Sequence, residues 1–123
     1  MGDRAVRAIR GATQLDRDDR EHLLASVDEL IRAILEQNRL HTDDLISMML
    51  TSTPDLRSEF PAVAARALGI GDVPLLCAQE IDVEGALPRV IRVMVHATTD
   101  LARSEIRHVY LRGAASLRRD LAQ

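Results

Sequence analysis

The sequence predicts an α+β fold, a mixed β-sheet with one long and one short helix packed on one face. Three observations carry this. Residues 90–98 alternate strictly, with Ile91, Val93, Val95 and Ala97 set against Arg92, Met94 and His96, which is the period of a half-buried strand. From about Asp18, the apolar positions Leu23, Leu24, Val27, Leu30, Ile31, Ile34 and Leu35 recur at helical spacing, and Asp18 and Asp19 suit the positive N-terminal end. Turn-forming residues divide the remainder into short apolar segments, so that the order reads β-α-β-α-β-β-β.

Taken in chain order, residues 5–12 form an apolar run interrupted by Arg7 and Arg10 and punctuated by Gly11, a first strand. After the long helix, residues 42–44 break the pattern. The run at 45–52, with Leu45, Ile46, Met48, Met49 and Leu50, then reads as a buried strand that ends at Thr53-Pro54-Asp55. Pro61 suits the first position of a short helix through Leu68, because the donor it lacks has no helical partner there, and Gly69 can take the left-handed conformation that closes it. A third strand is expected over 73–81. Gly85 and Pro88 break the pattern before the strand at 90–98, and 107–111 reads as a fifth strand. The tail from about residue 113, rich in Ala and Arg, fits either helix or strand.

The 123 residues suit one domain with one core, and 46% apolar content is enough to build it. Only Phe60 and Tyr110 are aromatic, which excludes a base-stacking platform for single-stranded nucleic acid. A net charge of −3 gives no general attraction for nucleic acid or an anionic membrane, so any anion must be held by a local cluster of arginines. All 16 basic residues are Arg, which excludes lysine Schiff-base chemistry. The one cysteine, Cys77, permits no internal disulfide and is compatible with a reducing, cytoplasmic setting. The N-terminal residues lack the apolar stretch of a signal peptide, and no run reaches transmembrane length.

Arg10 and Arg92 stand in strands where one face must be core. A guanidinium stays protonated and carries five donors in a rigid fork, so once shielded it needs carboxylates to offset desolvation. Either these residues face solvent or a structural ion pair, for which Glu80 is the obvious partner, or they meet an anionic ligand. Cys77 lacks the surroundings of a catalytic thiol and reads as a structural one. His22, His41, His96 and His108 show no metal-binding spacing, and no phosphate-binding glycine loop occurs. Rich in fixed positive charge and poor in bases and nucleophiles, such a site fits a small polyanion or a reaction without proton transfer.

Four segments name a family: Ile9-Arg10-Gly11-Ala12-Thr13; Thr53-Pro54-Asp55-Leu56 with Phe60-Pro61-Ala62 and Arg66; Val73-Pro74 with Cys77, Gln79-Glu80 and Asp82-Val83; and Ile91-Arg92-Val93-Met94 with Ile106-Arg107-His108-Val109-Tyr110-Leu111. In this order and spacing, from about Val6 to Leu121, they closely resemble the monofunctional trimeric α/β chorismate mutases. The resemblance implies a pseudo-α/β-barrel homotrimer with active sites between subunits. Its implied reaction is the intramolecular Claisen rearrangement of chorismate to prephenate, without cofactor, metal or covalent intermediate.

By the same resemblance, Arg92 stabilises the charge that develops on the ether oxygen, while Arg10 and Tyr110 bind carboxylate and ether-side oxygens. Glu80 accepts a hydrogen bond from the ring hydroxyl, with Cys77 nearby. Phe60 lines the pocket from the adjoining subunit, and Arg66 stands at its edge. Leu117 covers the site and Arg118 assists a closing segment. Two departures stand out. Val63 occupies a position where relatives can carry lysine, and Gly113-Ala114-Ala115-Ser116 is smaller than the aliphatic strand expected there, which implies looser packing of the tail. The competing reading is a non-catalytic trimeric protein that holds a small carboxylate with the same arginines.

Overall fold

A computed structural model describes residues 4–117. Its elements are β1 (Ala5–Gln14), α1 (Arg20–Gln37), β2 (Leu45–Ser52), α2 (Ala62–Ala67), β3 (Leu75–Gln79), β4 (Val90–Thr99) and β5 (Val109–Leu111), with 3-10 turns at Thr42–Asp44, Arg103–Glu105 and Arg112–Ala114. The five strands form one sheet in the order β3-β2-β4-β1-β5. β4 runs antiparallel to both β1 and β2, whereas the outer pairs β2·β3 and β1·β5 are parallel, so the sheet is mixed as expected.

Alternation decides which face each residue takes. On β4, Ile91, Val93, Val95 and Ala97 are buried, while Arg92 and His96 are exposed and Met94 is half-buried. On β1, Ile9, Gly11 and Thr13 are buried, whereas Val6, Ala8 and Arg10 are exposed. The odd-numbered residues meet α1, whose Leu23, Val27, Leu30, Ile31 and Ile34 are completely buried, and α2 joins the same layer through Ala62, Ala64 and Ala65. Both helices therefore cover one face and leave the other open. On β2 the alternation is reset by a bulge: Leu45 pairs with Ala97 and Ser47 with His96, so Ile46 is the extra residue.

Local chemistry explains the ends of the elements. The Asp19 carboxylate caps α1 by accepting the His22 N–H at 3.0 Å. At the other end, the Arg39 N–H reaches Glu36 O at 3.2 Å and the Leu40 N–H reaches Leu35 O at 2.8 Å, with Arg39 at φ 52. Pro61 precedes α2 in helical conformation, and Gly69 follows it at φ 85. β3 starts later than 73 because Pro74 has no donor for the ladder, although its carbonyl still accepts the Met48 N–H at 3.0 Å. β5 is shorter than 107–111 because the backbone of Arg107 bonds instead to Asn38.

Thr53-Pro54-Asp55 fastens β2 to the start of β4. The Thr53 hydroxyl donates to Asp55 at 2.5 Å and accepts the Val90 N–H at 3.0 Å, while Asp55 accepts the Arg89 N–H at 3.0 Å. Asp18 reaches across to the loop before α2, accepting the N–H groups of Arg57 at 2.9 Å and Ser58 at 3.1 Å. Its burial works against the charged form, but hydrogen bonds from Ser58 and Arg57 and the Arg57 charge outweigh that and hold the carboxyl below its usual range.

The tail departs from expectation. Ala114 is fully buried beside Ala12 and Val90, and Gly113 lies so close to Gln14 that a Cβ there would collide with the carboxamide. Small residues at 113 and 114 thus permit close packing rather than loosen it. Residues 115–117 are helical.

Gly11 is the tightest point of the core. A Cβ there would lie 2.7 Å from Ile34 Cδ1, 3.1 Å from Leu30 Cδ1 and 3.1 Å from the Val109 carbonyl oxygen. Gly11→Ala is therefore expected to cost about 1–3 kcal/mol through overpacking, measurable as a lowered denaturant midpoint.

Candidate active site

The open face of the sheet is organised by register. One row runs Arg10, Met94, Met49 and Leu76 across β1, β4, β2 and β3, and the next runs Tyr110, Ala12, Arg92, Thr51 and Ala78. Arg10 and Arg92 are therefore diagonal neighbours on adjacent strands, close enough for long side chains to serve one ligand.

Arg92 Nε lies 3.2 Å and 3.1 Å from the two carboxylate oxygens of Glu80, and the Thr51 hydroxyl donates to Glu80 Oε2 at 2.6 Å. Glu80 reaches this place because its N–H continues the ladder from β3, bonding to Ser52 O at 2.9 Å. The pair is asymmetric: the Glu80 side chain is 18% exposed and that of Arg92 46%. Nε is engaged, while the four Nη protons meet no acceptor among the described residues. Arg92 is thus both an ion-pair member and a donor with spare capacity, so the two readings of its place in β4 are not exclusive.

Arg10 and Tyr110 line a cavity of about 1140 Å³ at the β5 edge. The His108 ring accepts the Arg10 N–H through Nδ1 at 3.0 Å, which fixes the β1 backbone at that residue. Tyr110, Leu87 and Leu117 pack against the small buried cluster of Ala12, Val90 and Ala114. No group of His, Cys, Asp and Glu that could hold a metal occurs among the described residues.

The remaining sequence-predicted residues belong to other surfaces of the chain. Phe60 stands before α2 and is 71% exposed, and Arg66 is exposed in the last turn of that helix, so both issue from the helical layer. Cys77 pairs with Leu50 and packs against the main core, on the opposite side of the sheet from Glu80. Val63 is half-buried on α2. Arg118 lies outside the described residues.

Three residues of this region were not singled out from sequence. Thr51 gains its role only from strand register, and His108, weighed from sequence only as a metal ligand and as part of a family string, takes its place from the Arg10 N–H it accepts. Asn38 carried a detectable signal, a polar residue one step beyond a long amphipathic helix. Its buried amide donates to Ile34 O and Arg107 O at 2.9 Å each, and accepts the Arg107 N–H at 2.8 Å.

Comparison with known proteins identifies the family. The chain is 45% identical over 118 residues to chorismate mutase AroH of Bacillus subtilis (strain 168), covering 95% of this chain and 93% of that protein. It is 46% identical over 117 residues to chorismate mutase AroH of Thermus thermophilus, covering 94% and 96%. A solved chorismate mutase from Clostridium thermocellum superimposes with a TM-score of 0.88 at 44% identity, covering 89% of this chain and 98% of that one. With residues 6–121 also matching the family description, the chain belongs to the type I chorismate mutases.

Proposed function

We propose that the open face is one half of a site that rearranges chorismate to prephenate, and that a second copy of the chain, within a homotrimer, supplies the other half. The observation that carries this is the Arg92 guanidinium, anchored through Nε to Glu80 with its Nη donors uncommitted. In the rearrangement the ether C–O bond breaks as a C–C bond forms, so negative charge grows on the ether oxygen and no proton need move. A fixed cation at that oxygen binds the transition state more strongly than the ground state. Glu80, steadied by Thr51, accepts the hydrogen bond of the substrate's ring hydroxyl. Arg10 and Tyr110 take the carboxylate and ether-side oxygens, holding the substrate in its compact reactive shape.

Phe60 and Arg66 act on the substrate from the neighbouring copy, because within one chain they issue from the helical layer, whereas Cys77 faces the core beneath the sheet and supports the strand that leads to Glu80. Assembly is supported by the exposed apolar residues of the open face: Val6 at 58%, Met49 at 45% and Leu76 at 59%. Burying that face between copies removes it from water. A free Cys77 suits a reducing cytoplasm.

The test is purified protein with chorismate, following its loss and the appearance of prephenate, alongside a mass measurement in solution. Turnover by a particle three times the 13.6 kDa chain is expected. Binding without acceleration would replace this reading with that of a carboxylate-binding protein, and a fully active monomer would overturn the shared site.

A further inference from the structure

The cavity beside Arg10 and Tyr110 holds more positive charge than those residues supply. Its wall also contains Arg39 and Arg107, with Ser104 and one acid, Glu105. Glu105 is already engaged, since its carboxylate accepts the Ala102 N–H at 2.8 Å. Neither the Arg39 nor the Arg107 guanidinium meets a carboxylate among the described residues. Three arginines thus line one cavity with one partly committed counter-charge, an arrangement that favours an anionic guest.

A single residue brings the two extra arginines together. Asn38 is 1% exposed and precedes Arg39, and its amide takes both the N–H and the carbonyl of Arg107. Whatever position Asn38 has, both arginines inherit. Arg39 is also the residue that closes α1, at φ 52, a place where glycine is free of Cβ strain and arginine is not. A basic side chain near a helix C-terminus gains something from the helix dipole, which is the purely structural account of its presence.

We propose that Arg39 and Arg107 form a cationic mouth to the Arg10–Tyr110 cavity, which captures the substrate as a dianion and holds the carboxylate that Arg10 does not. This rests on the chorismate reading, because chorismate and prephenate each carry two carboxylates.

The variants Arg39→Gly, Arg107→Gln and their combination test it. Glycine suits the left-handed position, so Arg39→Gly is expected to leave the melting temperature unchanged or higher, and Arg107→Gln keeps the backbone bonds to Asn38. At low ionic strength, kcat/KM for chorismate falls by about threefold to tenfold per charge, through KM, and its decline with added salt becomes shallower. Prephenate, which keeps both carboxylates and is not turned over, binds more weakly by a similar factor in calorimetry. If the double variant keeps the parental salt dependence and prephenate affinity while the parent turns over chorismate, the mouth is overturned and the functional reading stands. A parent that neither turns over chorismate nor binds prephenate overturns both.

Discussion

Arg92→Lys is expected to lower kcat by at least about a hundredfold, with a much smaller change in KM. Lysine retains the charge but not the planar fork. In Arg92, Nε is bound to Glu80 and the Nη groups remain for the ligand, whereas one ammonium on a longer stem must choose between the two. A loss of that size corresponds to about 3 kcal/mol of transition-state stabilisation, the scale of one preorganised donor to a developing oxyanion. Steady-state kinetics with chorismate provides the measurement. A kcat within threefold of the parent would remove Arg92 from the mechanism and leave it the structural ion-pair role.

Asn38→Ala is expected to cost about 3 kcal/mol of stability, because it strands the Arg107 N–H and carbonyl and leaves the Ile34 carbonyl with only the backbone N–H of residue 38. Asn38 is almost wholly buried, so solvent cannot replace those partners without opening the joint between α1 and the segment leading to β5. Denaturant unfolding reads the cost directly. Asn38→Asp is no rescue, since a carboxylate restores the acceptor for the Arg107 N–H but sets negative charge against two carbonyls. A midpoint equal to the parent's for Asn38→Ala would show that the amide has no such structural burden.

How much was legible in the sequence follows from which forces are local. Alternation over β4 is a property of neighbours in the chain, so the face taken by Arg92 could be read before any fold was known, whereas β1, with Arg7 and Arg10 three residues apart, carries no such pattern. The caps were equally local: Asp19 caps α1 through its carboxylate, and Gly69 follows α2 at a positive φ that the lack of a Cβ permits. Glu80 was identifiable as the acid nearest an obvious need. Sheet order was not legible, because it depends on pairing between segments far apart in sequence. Thr51 stayed invisible for that reason, as its value comes from lying opposite Arg92 in the β2·β4 register. Cys77 presents the converse case. The family string places it close to Glu80 in sequence, yet strand parity sends the two side chains to opposite faces, so nearness along the chain does not set both beside one ligand.

Parity also makes the bulge at Ile46 more than a local irregularity. Leu45 and Met48 are an odd number of residues apart, yet both are buried, Leu45 at 8% and Met48 at 1% exposed. Only the extra residue between them allows that, and it does so while keeping Met49 and Thr51 in step with Met94 and Arg92. A one-residue deletion at this point would force β2 to forfeit either Leu45 from the core or Thr51 from Glu80. Length at position 46 is therefore constrained more tightly than identity, and the chain should accept many side chains there but not the loss of the residue.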